Sequence, residues 1–427
     1  MGHVGPLGRA IFRPRMILDL GPLRRHRNYR LLFIGQLVSF LGSMVSYVAV
    51  PVQVQALTQS QAIVGLLSGV QLVPLFVFGL WGGSVADALD RRRLMIVSEI
   101  VMCLGAVGLA LNAALPRPSV AAVFAISFVM QAANAFHRPA MDALGQKLVT
   151  VPELPAASAL GSLRGSVGAV AGPALGGWLV SAGGAFTGYA FDAATFAVAV
   201  LCVWQMRDLP PMEAESEAGW GSIVEGLRYA KTRPELVGTY VVDMVAMAFA
   251  FPIALYPSMS EGWGGADAAG YLFSAMPAGA LVISIFSGRA KNLRRQGAAV
   301  VCAAALWGAF IVGFGLSSSL WVALGFLVLA GAADAVSGIY RMTIWNQTIP
   351  NTLRGRLAGV EMISYLSGPL LGNARAGAIA EATSNMLSVV SGGIICVVAV
   401  AGCAFILPAF WRYERPEAGE SEPVVAG

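Results

Sequence analysis

Residues 82–93 read Gly82-Gly83-Ser84-Val85-Ala86-Asp87-Ala88-Leu89-Asp90-Arg91-Arg92-Arg93 and lie between the second and third long apolar segments. The stretch joins the small-residue end of an apolar segment to the acidic Asp87 and then to a basic cluster. Loops with an excess of Lys and Arg stay on the cytoplasmic side of a membrane. The stretch therefore predicts a charged hairpin at the cytoplasmic face of a protein that crosses the membrane several times.

The composition favours lipid rather than water as the solvent. Of the 427 residues, 57% are hydrophobic and only 12% are charged, and the mean hydropathy is +0.70. Soluble domains carry about 25% charged residues, and a membrane-spanning helix needs about 20 apolar residues. We therefore predict an all-α membrane protein with many spans.

The apolar segments predict twelve spans. Their approximate bounds are 29–57, 62–86, 94–115, 119–144, 157–181, 186–206, 235–257, 268–287, 297–316, 320–345, 357–380 and 387–410. Of the 28 Lys and Arg residues, Arg117 lies in an outer loop, and Arg164 and Arg375 lie within spans. The others fall in or near the termini and alternate loops, which predicts that both termini are cytoplasmic.

The chain is predicted to have five parts. They are a cytoplasmic N-terminal segment (1–28), a six-helix bundle (29–206), a cytoplasmic linker (207–233), a second six-helix bundle (234–410) and a cytoplasmic tail (411–427). In the linker, Trp220, Ile223 and Leu227 share one face of a short amphipathic helix. Such a helix is typical of segments that lie at the lipid headgroups.

The two bundles resemble each other in sequence. Residues 172–176 read Gly-Pro-Ala-Leu-Gly, and residues 368–372 read Gly-Pro-Leu-Leu-Gly. A Val-Pro pair at 151–152 corresponds to an Ile-Pro pair at 349–350, and Gly83 corresponds to Gly288. Each pair is about 200 residues apart, and duplicated six-span halves with a binding site between them are a transporter plan.

These features resemble the major facilitator superfamily and, within it, the enterobactin exporter group. The segments that carry the resemblance are 51–55 (Pro-Val-Gln-Val-Gln), 82–93, 111–116 (Leu-Asn-Ala-Ala-Leu-Pro) and 353–356 (Leu-Arg-Gly-Arg). The resemblance extends from Tyr29 to about Phe410. It implies two pseudo-symmetric six-helix bundles that alternate access to a central cavity.

The resemblance also implies a gating loop. Its residues are Gly83, Asp87, Asp90, Arg91 and Arg92, with Asp90 where the superfamily usually has Gly. An acid at the C-terminal end of a helix is unfavourable without a partner. Asp87 is therefore expected to pair with Arg91 or with the N-terminus of span eleven, as a latch. The alternative is a basic loop that only sets the topology.

The fifth span is rich in glycine. Gly168, Gly172, Pro173, Gly176 and Gly177 resemble the signature of exporting antiporters in the superfamily. Glycines four residues apart let two helices approach closely, and a proline permits a kink. The alternative is generic tight packing.

Charged residues inside spans are functional candidates, because each costs roughly 2.5–3.5 kcal/mol to insert. Asp243 in span seven and Asp334 in span ten lie on spans that the resemblance implies line the cavity, with Arg341 nearby. A carboxylate there can alternate between its protonated and ionised forms. Arg164 and Glu361 occupy nearly matching positions in the two halves and complete the set of proton-coupling candidates.

The alternatives for these charges are structural. Asp243, Asp334 and Arg341 could form an ion pair between packed helices, and Arg164 and Glu361 could extend to the membrane interface. Glu99 and Asp142 are interpreted as structural charges at the inner face.

Polar and aromatic side chains on the cavity spans are candidates for contact with a substrate. They are Gln36, Ser39, Gln131, Asn134, Phe136 and Phe249. The alternative for each polar residue is a hydrogen bond between helices.

The predicted function is secondary active export, with proton antiport of a small organic molecule such as a siderophore or an amphipathic drug. The chain has no phosphate-binding loop for ATP hydrolysis, and we expect no enzymatic activity, metal, cofactor or nucleic acid. We expect a monomer in lipid in the bacterial inner membrane. The alternatives are an uptake permease of the same fold and a membrane sensor or scaffold that does not transport.

Overall fold

The computed structural model describes residues 19–88, 90–207, 228–286, 293–350 and 353–414. The description leaves out the side chains at 72, 75–76, 79–88, 354–356 and 358–366. The predicted linker helix at Trp220, Ile223 and Leu227 lies outside the described residues, as does Gly288.

The described residues fold into α-helices with short 3-10 turns. The helices are α1 (Gly21–Arg25), α2 (Arg27–Thr58), α3 (Gln61–Ala88), α4 (Arg91–Ala114), α5 (Val120–Lys147), α6 (Leu154–Trp204), α7 (Pro234–Ala250), α8 (Tyr256–Ser260), α9 (Ala266–Phe286), α10 (Gln296–Gly315), α11 (Leu320–Thr348), α12 (Arg354–Ala382), α13 (Asn385–Ile406) and α14 (Pro408–Trp411). We refer to α2–α6 as the first half and to α7–α13 as the second half.

Nine helical stretches in the described ranges are long and apolar enough to cross a membrane. One of them, Val151–Trp204, contains a break at Gly183 and Gly184. Gly184 has a φ of 73° and a ψ of −177°, a conformation that glycine adopts at little cost. The break falls between predicted spans five and six. The protein is an all-α membrane protein, and the number of twelve spans and the five-part division stay predictions.

Predicted span seven is not a single helix. Helix α7 ends at Ala250, and Phe251 is extended with a φ of −103° and a ψ of 100°. The cause is Pro252, because a residue before proline is pushed out of the helical region. A 3-10 turn (Ile253–Leu255) and the short α8 then continue the chain.

Both described chain ends lie on one side of the helices, which we call the terminal face. The Asn28 amide donates to the carbonyl of Arg207 at 2.5 Å, and Arg295 lies 3.2 Å from Glu414. Helices α2, α4, α7 and α10 begin at this face. The other side, where α3, α9 and α13 begin, we call the opposite face.

Close approach of helices at glycine organises both halves. In the first half, α6 packs along α2 with Gly168 against Phe40, Gly172 against Met44 and Gly176 against Val45. In the second half, Gly279 on α9 faces the backbone of α11 at Val328. Small residues permit this contact, and dispersion between closely packed helices is a main source of stability in lipid.

Candidate functional site

The structure brings Asp243, Asp334 and Arg341 together. Arg341 Nη1 contacts Asp243 Oδ1, and Arg341 Nη2 lies 3.6 Å from Asp334 Oδ1. The side chains of Arg341 and Asp243 are 13% and 7% exposed, whereas that of Asp334 is 40% exposed. We call these three residues the triad. At a rise of 1.5 Å per residue, Asp243 lies about 14 Å from the start of α7 and Asp334 about 21 Å from the start of α11.

The charges of the triad do not balance. Two carboxylates share one guanidinium, so one negative charge is uncompensated when both acids are ionised. A buried charge is stable only with a partner and further hydrogen bonds. The more exposed Asp334, which is farther from Arg341, is the member that can most readily exchange a proton with water.

A second contact holds α7 and α11 together one turn nearer the terminal face. The indole Nε1 of Trp345 donates to Thr239 Oγ1 at 2.8 Å, and Trp345 also packs against the ring of Tyr240. Because Trp345 and Thr239 each lie one turn from a triad residue, this contact fixes the separation of the two helices at the triad.

A cavity of about 350 Å³ lies mainly among α2–α6 of the first half, and Ile253, Ala254, Phe273 and Asn373 line it from the second half. Its polar lining includes Gln131 and Asn134, and contact of these two side chains with a substrate stays a prediction. Aromatic and methionine side chains line much of the rest. They are Phe40, Met44, Tyr47, Met102, Met130, Phe196 and Phe273.

The other four substrate candidates do not line this cavity. Gln36 and Ser39 are buried within the first half, and Phe136 packs against Phe78 with ring centroids 5.7 Å apart. Phe249 packs against the apolar core of the second half. For Gln36 the physical reason is a hydrogen bond to a buried carboxylate on a neighbouring helix.

Polar contacts between the halves lie near the opposite face. Gln55 donates to Glu261 at 3.3 Å, and Ser60 donates to Glu381 at 3.0 Å. Deeper in, the Asn373 amide donates to Ser68 at 3.1 Å. These contacts join the two halves near the opposite face, and Ser68 and Asn373 also line the cavity.

Backbone contacts at glycine close the same side of the molecule. A Cβ on Gly177 would lie 2.7 Å from the Cα of Gly270, and one on Gly65 would lie 3.3 Å from the Cα of Gly377. Nearer the terminal face, a Cβ on Gly161 or Gly165 would have no atom within 4 Å. The two halves therefore meet through their backbones at the opposite face.

The glycine-rich span is part of α6 and packs against both α2 and α9. Gly168, Gly172 and Gly176 pack on α2, whereas Gly177 packs on α9, and the carbonyl of Pro173 also lies close to Gly270. These contacts show tight packing. The association of this span with antiport stays a prediction.

The predicted gating loop is described only in part. Asp90 is the N-cap of α4 and accepts from the backbone N–H groups of Arg92 and Arg93 at 2.9 and 3.2 Å. The Arg92 guanidinium donates to the carbonyls of Val203 and Trp204, while Arg91 is buried.

The partner of the predicted latch is not described. Gly83 lies on α3, and the side chain of Asp87 lies outside the described residues. The latch stays a prediction.

Arg164 lies apart from the triad. Its guanidinium contacts the Met141 sulfur at 3.5 Å, and it lines a second space of about 650 Å³ near the terminal face together with Tyr29 and Asp142. The side chain of Glu361 lies outside the described residues, so an inter-half pair with Arg164 stays a prediction.

Sequence reasoning missed a buried cluster of Gln36, Glu99 and His137. Glu99 Oε1 lies 2.5 Å from Gln36 Nε2 and 3.0 Å from His137 Nε2. All three side chains are buried. One signal in the sequence could have indicated the cluster: each residue lies at a similar distance from the terminal-face end of its helix.

Long apolar helices, a buried ion cluster and an internal cavity are typical of membrane transport proteins. The family described as "transmembrane secretion effector" matches residues 18–425. The chain therefore belongs to this family, within the major facilitator superfamily.

Known proteins agree with this assignment. The enterobactin exporter EntS of Shigella flexneri is 29% identical over 382 residues, which are 88% of this chain and 91% of the relative. The nucleoside transporter NupG has the same fold, with a TM-score of 0.67 at 14% identity over 90% of this chain and 99% of that chain. A POT family transporter in complex with 5-aminolevulinic acid gives a TM-score of 0.72 at 12% identity, over 90% and 97% of the two chains.

Proposed function

We propose that this protein is a proton-driven exporter of a small amphipathic organic molecule, with siderophores as the first class to test. The observation that carries the proposal is the triad, in which two carboxylates share one guanidinium at mid-depth. The relatives named as enterobactin exporters support the direction of transport and the siderophore class. The protein works as a monomer in the bacterial inner membrane, without enzymatic activity.

The terminal face is assigned to the cytoplasm. The basic residues Arg27, Arg92, Arg207 and Arg295 lie at this face, and cytoplasmic loops carry an excess of such residues. The closed opposite face is then the periplasmic one. The described conformation is one in which substrate reaches the cavity from the cytoplasm.

The charge imbalance supplies the coupling. In the described conformation the side chain of Asp334 is 40% exposed, so water can solvate its unpaired charge. A conformation that buries Asp334 would remove this water, and an unpaired charge inside a membrane is costly. The return to the other conformation therefore proceeds with a proton on Asp334 or with a compensating group of the substrate. Because the proton and the substrate compensate the charge in alternate steps, they cross the membrane in opposite directions, which is antiport.

The cavity lining favours an amphipathic substrate. Gln131 and Asn134 offer donors and acceptors on α5, while Phe40, Tyr47 and Phe273 offer aromatic surface from other helices. Binding sites for small molecules typically combine such apolar walls with a few placed polar groups. Binding of this kind suits a catechol siderophore or a planar dye.

The test is transport into inverted membrane vesicles. The probes are radiolabelled iron-free enterobactin and a fluorescent amphipathic dye. We expect an acidic vesicle interior to drive accumulation of at least one probe. Asp334→Asn and Asp243→Asn should lose the response to the pH gradient while keeping exchange of labelled for unlabelled probe. Glu153→Gln, which changes a carboxylate at the terminal face, is the matched control.

Other outcomes contradict the proposal. Accumulation that ignores the pH gradient rejects proton antiport. Accumulation of probe only in right-side-out vesicles indicates an uptake permease. Absence of transport in the wild-type protein, with both Asn variants retaining its cellular activity, indicates a sensor or scaffold.

A further inference from the structure

The Gln36–Glu99–His137 cluster joins three helices of the first half. Glu99 on α4 is 0% exposed, and Gln36 on α2 and His137 on α5 are 5% and 6% exposed. Glu99 Oε1 receives the amide donor of Gln36 at 2.5 Å and lies 3.0 Å from His137 Nε2. Glu99 Oε2 has no hydrogen-bond partner among the described residues. A carboxylate and an imidazole thus meet where water is excluded.

The cluster lies about one helical turn from the cavity, on the side of the terminal face. Each helix that contributes to it also lines the cavity about one turn, or about 5.4 Å, nearer the opposite face. The pairs are Gln36 and Phe40 on α2, Glu99 and Met102 on α4, and His137 and Asn134 on α5. A shift of any of these helices that follows from occupancy of the cavity therefore also moves one member of the cluster.

We propose that Glu99 and His137 form a second proton-binding site of the transporter, separate from the triad. The two groups are jointly neutral when they hold one proton between them. Loss of that proton leaves one negative charge in a dry site, and gain of another leaves one positive charge. Both charged states are costly while the site is closed. A proton therefore enters or leaves only when the helices separate and water reaches the site.

Other titratable groups lie near enough to interact electrostatically with Glu99 or His137. They are the thiols of Cys103 on α4 and Cys202 on α6 and the carboxylate of Asp142 on α5. The guanidinium groups of Arg138 and Arg164 lie near Asp142 and compensate its charge. Glu99 and His137 are thus the acid and base in direct contact at this depth.

This inference deepens the proposed function, because it adds a proton to the transport cycle. The triad lies between α7 and α11 in the second half, and the cluster lies among α2, α4 and α5 in the first. Each half would then carry one proton site. The proposed function needs only the triad, so the two proposals can fail separately.

The direct test is infrared difference spectroscopy of the purified full-length protein between alkaline and acidic pH. A buried carboxyl that gains a proton shows a carbonyl stretching band. We expect one such band to disappear in Glu99→Gln and to shift in His137→Gln. It should persist in Asp334→Asn and in Ser98→Ala, a buried neighbour without an ionisable group.

Two spectral results would overturn the proposal of a proton site at Glu99 and His137. A spectrum of folded Glu99→Gln that keeps every carboxyl band of the wild type overturns the proposal. If Glu99→Gln does not fold, an unshifted spectrum in His137→Gln overturns it equally. The test does not depend on transport, so loss of pH-driven accumulation in the wild type would reject antiport without affecting this result.

A second measurement tests the role in transport. In proteoliposomes, the pH gradient that just balances a fixed substrate gradient gives the number of protons per substrate. We expect Glu99→Gln to transport with one proton fewer than the wild type and Ser98→Ala to match it. An unchanged ratio in Glu99→Gln would show that the proton on this site does not cross the membrane.

Discussion

Replacement of Gly177 by alanine should shift the protein away from the conformation described here. Gly177 on α6 meets α9 near the opposite face. An added Cβ would lie 2.6 Å from the carbonyl oxygen of Ala266 and 2.7 Å from the Cα of Gly270. Both are backbone atoms, so no side-chain rotation can relieve the clash, and the two helices must separate.

The size of the shift follows from the cost of overpacking. An extra methyl group in a well-packed contact costs about 1–3 kcal/mol. Because α6 and α9 belong to different halves, that cost applies only while the opposite face is closed. If the closed conformation is destabilised by this energy relative to the open one, the ratio of their populations changes by about 5- to 150-fold. Gly177→Ala should therefore populate the conformation that is open at the opposite face.

Distances between spin labels would measure the shift. Labels at Ala56 on α2 and Met386 on α13, both exposed near the opposite face, report the separation of the halves there. We expect a longer distance in Gly177→Ala and no change in Gly325→Ala, where an added Cβ has no atom within 4 Å. An unchanged distance distribution in folded Gly177→Ala would refute the reasoning.

Three other substitutions test the energetics of the site. Arg341→Gln leaves Asp243 buried without its cation, which should lower stability by about 3–5 kcal/mol; Arg341→Gln combined with Asp243→Asn should recover most of the melting temperature but not pH-driven transport. Thr239→Val removes the acceptor of the buried Trp345 indole and should cost about 1–3 kcal/mol, measured by thermal unfolding in detergent against Thr239→Ser. Asp90→Ala removes the N-cap of α4 and should cost about 0.5–2 kcal/mol; Asp90→Asn should keep the melting temperature, and equal loss in both variants would contradict the capping role.

The fold follows from the sequence because membrane insertion leaves few choices. Long apolar segments must form helices that satisfy their own backbone hydrogen bonds. The break at Gly183 and Gly184 falls in the gap between the predicted spans 157–181 and 186–206. The break after Ala250 also had a visible signal in Pro252, yet the apolar residues around it suggested one continuous span.

The site could be predicted less completely than the fold. The cost of a charge in lipid pointed to Asp243, Asp334 and Arg341, but their sharing of one guanidinium depends on the rotation of α7 relative to α11. The same limit explains why Gln36 was expected to contact a substrate, whereas its side chain donates to the carboxylate of Glu99 on a neighbouring helix. A polar side chain in a span can face a cavity or a neighbouring helix, and the pattern along one helix does not distinguish the two.

The positions of the charges and of the glycines indicate how the proposed proton binding would act on the contact between the two halves. The ionic groups of the triad and of the cluster each lie within one half, where a change of charge alters contacts among the helices of that half. The contact at Gly177 and Gly270 lies between the halves and involves backbone, which cannot adapt by side-chain rotation. A small change of helix packing within one half would therefore displace the interface as a rigid unit. In the proposed mechanism, a proton bound deep in one half would in this way determine whether the opposite face stays closed.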